Sequence, residues 1–141
     1  RALVLCAAHL ESVASLSQSD ITVEGITAVA LPEADRELCA FFRCWCLVEL
    51  GAALARAIPV VMLIGYREQG WGGAFLPNMG MVESMAQLVD VETASATVES
   101  DRERILTEKL PELLGADRGE AATELNSLAV GALRGAQACM N

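Results

Sequence analysis

Glu49 is the residue whose type and placement most invite chemistry. It stands three residues after Cys46 and four before Ala53 in the run Phe41–Ala57, FFRCWCLVELGAALARA. Phe42, Cys46, Leu50, Ala53 and Ala57 recur at three- and four-residue steps, which predicts one apolar helical stripe. That spacing sets the Glu49 carboxylate on the buried-facing side. A charge there is costly unless it is paired or functional. Glu49 is therefore read either as a working carboxylate or as one neutralised by an arginine such as Arg36 or Arg43.

The thiols and the imidazole offer less. Five cysteines, Cys6, Cys39, Cys44, Cys46 and Cys139, have apolar neighbours and an odd count, which reads as free buried thiols rather than a disulfide framework. Cys44 and Cys46 point apart on a helix, because residues two apart do not face each other, so no metal site is expected. His9 is the single histidine. A Ser-His-Asp or Cys-His enzyme would have to use it, yet it sits at a helix start, where a structural role is the simpler reading.

The elements that must position these groups follow from the pattern. Phe41–Ala57 is expected to be a helix ended by Pro59. Val60–Ile64 is a short, purely apolar run, as in a parallel strand covered on both faces. Upstream, Ala2–Cys6 and Ile26–Leu31 read as strands and His9–Ser17 as a short helix. Ser17–Asp20 reads as a polar turn and Pro32–Glu37 as a charged loop. Downstream, Gly65–Gly80 is glycine-rich and carries Tyr66, Trp71 and Phe75. Met81–Gln87 reads as a helix and Leu88–Val91 as a strand. Ser100 and Glu103 fit a capping box that opens a helix to Leu114, broken or kinked at Pro111 and stopped by Gly115. A last helix is predicted over Arg118–Ala138, with Ala122, Leu125, Leu128, Ala129, Ala132 and Leu133 on one face. Strands alternating with helices predict an α/β fold, a parallel sheet of about four strands flanked by helices, with an extra C-terminal helix. Residues 1–141 are read as a single domain, with a core over 1–114 and a helical extension over 115–141.

The segment Arg43-Cys44-Trp45-Cys46-Leu47-Val48-Glu49-Leu50 resembles the signature that opens the third helix of Toll/interleukin-receptor (TIR) domains. It is most similar to the TIR-like domains of algae and protists. The resemblance is carried by Arg43, Trp45, Cys46 and Glu49, and by the helix and apolar run that follow. It implies a flavodoxin-like sheet, and it matches the chain from the family's second strand onward, so the first strand and helix have no counterpart here. In NAD-cleaving members the glutamate is the catalytic residue, and the resemblance implies Glu49 for that role with NAD as the molecule cleaved. No G-x-G-x-x-G occurs, and Gly70-Trp71-Gly72-Gly73 is too irregular for a phosphate loop.

Composition bounds the rest. A formal charge of −9 argues against nucleic acid, since phosphate binding needs a basic face. No stretch reads as a membrane span, because Arg43, Glu49, Arg56 and Pro59 interrupt the most apolar region. A soluble intracellular protein is expected. With 53% hydrophobic residues, the chain either buries its strands on both faces or gives apolar surface to a partner. Trp71 and Phe75, flanked by glycines, are the candidate anchors for that partner. The function expected is a non-catalytic interaction or scaffold module, or an accessory subunit, bound to another protein or to itself and holding no cofactor. The alternative is an NAD-cleaving enzyme that uses Glu49.

Overall fold

The computed structural model describes residues 3–8, 18–23, 26–29, 39–67, 75–77 and 79–138. Five strands lie among them: β1 Leu3–Ala8, β2 Gln18–Val23, β3 Ile26–Val29, β4 Val60–Arg67 and β5 Phe75–Pro77. The longer helices are α1 Cys44–Ala55, α2 Met79–Leu88 and α5 Arg118–Ala138. Between α2 and α5, α3 Glu99–Arg104 runs through a π turn, Ile105–Lys109, into α4 Leu110–Leu114.

The expected parallel sheet of about four strands is not what forms, and the flavodoxin-like α/β description falls with it. Helix outweighs strand among the described residues. The one described sheet with more than two strands has the order β1-β4-β5, and only β1 and β4 run parallel. The connections explain the rest. Residues 68–74 between β4 and β5 are too few for the crossover of a dozen or more residues that a parallel pair needs, so β5 returns antiparallel. Two residues separate β2 from β3, which permits only a hairpin-type pairing, and those strands form their own antiparallel ribbon. The Ser17–Asp20 turn is in part the start of β2. The expected Leu88–Val91 strand is the end of α2 followed by coil and turn. The expected His9–Ser17 helix and Pro32–Glu37 loop lie outside the described residues.

Among the described residues, β4 is covered on one face more than on the other. Val60 and Met62 pack against the core and Ile64 is buried in it, whereas Val61, on the opposite face, is 45% exposed. The helical layer sits on the first face. There Leu47 and Leu50 of α1, Val82 and Met85 of α2, Ile105 and Leu106 of the π turn, Leu110 of α4, and Leu125 and Leu133 of α5 close into one core.

Helix ends follow local rules. Asp117 caps α5 by accepting from the backbone N–H of Gly119 (2.9 Å) and Glu120 (3.0 Å). Gly115, with φ of 67°, ends α4. The α1 helix stops before Pro59. Ile58 N–H donates to Ala53 O (2.9 Å) and Ala57 N–H to Leu54 O (3.0 Å), a Schellman closure with Ala57 at φ 51°. Ser100 does not cap, since α3 begins at Glu99 after Val98. The break expected at Pro111 is absorbed one turn earlier. Proline there has no N–H and crowds the preceding turn, and the π turn, closed by Leu110 N–H to Ile105 O, supplies the extra residue.

Candidate interaction surface

The N-terminal half of the Arg43–Leu50 segment serves the fold. Arg43 pairs as an isolated bridge with Ser95, and its Nη2 donates to Thr97 Oγ1 at 2.7 Å. Cys44 N–H donates to Ser95 O (2.9 Å), Ser95 N–H to Phe42 O (2.8 Å), and the Cys44 thiol to Ala94 O (3.1 Å). Segment 91–97 is thus stitched to the start of α1. Arg102 holds the far side of that segment, donating from Nε to Ala94 O (3.1 Å) and from Nη2 to Glu92 O. Asn126 of α5 secures its beginning: Val91 N–H donates to Asn126 Oδ1 (2.8 Å), and Asn126 Nδ2 donates to Asp90 Oδ1 (2.9 Å). Sequence reasoning missed Arg102 and Asn126. Each is a polar residue at one position of a helical pattern, and the partners that hold segment 90–94, the Val91 N–H, the Ala94 and Glu92 carbonyls and the Asp90 carboxylate, are brought near by the fold and marked by no sequence motif.

Glu49 is not where its spacing suggested. The buried face of α1 is formed by Cys44, Leu47, Val48, Leu50, Gly51 and Ala53. It is turned by about one residue, roughly 100°, from the predicted stripe. Cys46 becomes half-buried and Glu49 exposed. Among the described residues Glu49 has no ion-pair partner; Arg43 is engaged by Thr97, and Arg36 lies outside the described residues. Gly51 lies on the face that is turned inward. A Cβ there would lie 2.7 Å from Leu125 Cδ1 and 3.6 Å from Leu113 Cδ2. The α1 backbone comes close to α5 here, and an added methyl would force the end of the Leu125 side chain to move.

The thiols are held in their inert form. Burial pushes the Cys44 thiol up; Arg102 opposes the shift and Glu99 adds to it. Burial also raises Cys46, with Glu49 adding and Arg43 opposing. Neither thiol is primed as a nucleophile near neutral pH. Among the described residues no group of three or more His, Cys, Asp or Glu is placed to hold a metal. No helix there is long and apolar enough to cross a membrane.

Among the described residues, one surface on α1 and one on α5 stand open. On α1, Trp45 (39% exposed), Glu49, Ala52 and Arg56 form an outward stripe at helical spacing. On α5, shallow grooves flank an exposed ridge of Ser127 and Gly131. One is walled by Leu54 and Leu128, the other by Val130 and Arg134. Phe75 opens β5 at the edge of the sheet, and Trp71 lies outside the described residues. No protein-family model, curated protein or solved structure matches this chain.

Proposed function

We propose that this chain is a protein–protein interaction module, a scaffold or accessory subunit, that carries out no chemistry of its own. The observation that carries the reading is the makeup of the outward stripe of α1. A large aromatic, Trp45, stands 39% exposed beside an exposed Glu49, on a helix whose other face is locked into the core. Aromatic side chains offer large contact area at low entropic cost and are enriched where partners bind. The TIR resemblance of Arg43–Leu50 supports the same reading, and Trp71 and Phe75 are proposed as further anchors.

A photo-crosslinking residue in place of Trp45 tests it, with the full chain also incubated with NAD. The expected result is a discrete adduct to a protein partner and no nicotinamide release. Nicotinamide release that Glu49→Gln abolishes would overturn the reading in favour of an NAD-cleaving enzyme. The absence of any adduct would remove the α1 stripe as the contact.

A further inference from the structure

We infer that the exposed face of α5 binds a second copy of this chain, helix against antiparallel helix, across Ser127 and Gly131. The inference rests on the interaction-module reading and names the partner for the second of its two open surfaces.

Glycine inside a helix weakens it, so a mid-helix glycine calls for a reason. Among the described residues Gly131 has none: it is exposed, and a Cβ at that position would meet nothing within 4 Å. Gly135, one turn on, is the same. Glu120, Glu124, Ser127, Gly131 and Arg134 recur at three- and four-residue steps and are all exposed. Along this stripe the helix is acidic in its N-terminal half, small in the middle and basic in its C-terminal half.

That order is self-complementary only in the antiparallel sense. Glu124 and Arg134 lie symmetrically about Ala129, and so do Ser127 and Gly131. A two-fold axis beside Ala129 therefore sets Glu124 opposite Arg134 of the second copy, twice, and Ser127 opposite Gly131 of the second copy. A surface that matches itself under a two-fold axis is what an isologous dimer requires. The small central residues let the helices approach closely, and the half-buried Leu128 and Val130 on either side of the ridge gain cover. Arg134 is already held at its end of the stripe. Its Nη2 lies 3.6 Å from Oε1 of the buried Glu83, which also accepts from Gln87 Nε2 (3.3 Å), while the Arg134 side chain stays 51% exposed. Antiparallel alignment also sets the two helix dipoles in their favourable sense.

Sedimentation equilibrium and light scattering of the full chain at low and high salt test this. The expected result is a dimer that weakens as salt rises, becomes monomeric with Gly131→Leu and dissociates more readily with Glu124→Arg. Both substitutions are at exposed positions, so the circular dichroism of each variant is expected to match the parent. Should Gly131→Leu misfold, Glu124→Arg reads the same surface. A chain that stays monomeric at every concentration overturns the inference, as does a dimer that both variants leave intact. A monomer that still gives an adduct from position 45 rejects the second copy while keeping the interaction module. A monomer that gives no adduct and releases nicotinamide rejects both.

Discussion

Gly51 on α1 and Gly131 on α5 are both glycines inside helices, and the structure treats them in opposite ways. At Gly51 a methyl group would lie 2.7 Å from Leu125 Cδ1, so glycine fits the packing of α1 on α5 without moving that side chain. At Gly131 a methyl group would meet open space. The first is a fold position. The second carries the helix cost of glycine with nothing among the described residues to offset it. A helix thus shows in its small residues whether the contact they permit is already made within the chain.

The largest expected effect sits at the partner of Gly51. Leu125 is fully buried, and Leu125→Ala should cost about 2–5 kcal/mol through lost burial and the cavity left behind. A denaturant melt checks this. A loss below 1 kcal/mol would mean that the α1–α5 contact is not the tight one on which the comparison depends.

Next comes Gly51→Ala. Overpacking a filled core costs about 1–3 kcal/mol, which exceeds the helix-propensity gain of about 1 kcal/mol. A net loss is therefore expected. In the Leu125→Ala background the added methyl enters the vacated space, so the double variant should cost less than the two singles combined. Strict additivity would mean that the two residues do not touch.

Gly131→Ala should act in the opposite direction. At concentrations where the chain is monomeric, it should gain about 0.5–1 kcal/mol from helix propensity alone. The same variant should associate more weakly than the parent. A loss of monomer stability would place Gly131 with Gly51 and end the contrast.

These opposite glycines also show what the sequence could and could not carry. Arg118–Ala138 was legible in full as α5, because a long run of alanine and leucine at helical spacing has no rival conformation. The Val60–Ile64 run was legible as strand, being too short and too apolar for anything else. Its antiparallel partner β5 was not, since strand direction depends on connection length as well as on alternation, and seven residues between β4 and β5 are too few for a crossover. The site was misread for a related reason. On α1 two apolar arcs overlap, and either could face inward by hydrophobicity. The arc that faces inward carries Gly51, which lies against Leu125, a contact between residues far apart in the chain. A one-residue rotation then carried Glu49 from the interior to solvent.

The smallest expected effect is at Glu49 itself, and it sharpens that last point. Because Glu49 is exposed and unpaired among the described residues, Glu49→Gln should move stability by no more than about 0.5 kcal/mol. Its influence should appear on Cys46 instead, whose thiol is raised first by burial and then by the Glu49 charge. Removing that charge should bring the Cys46 pKa down part of the way, and alkylation of Cys46 at mildly alkaline pH should speed up. The sign for stability follows from the same shift. Cys44 and Cys46 both hold their protons more tightly in the folded chain than at the ordinary thiol value of 9.0. Above that value the unfolded chain has lost protons that the folded chain keeps, so stability should be level through neutral pH and fall as pH rises past it. Glu49→Gln should make that alkaline fall slightly shallower. A melting temperature that drops at neutral pH with Glu49→Gln would instead mean that the carboxylate is held by a partner, as its spacing from Cys46 and Ala53 first suggested.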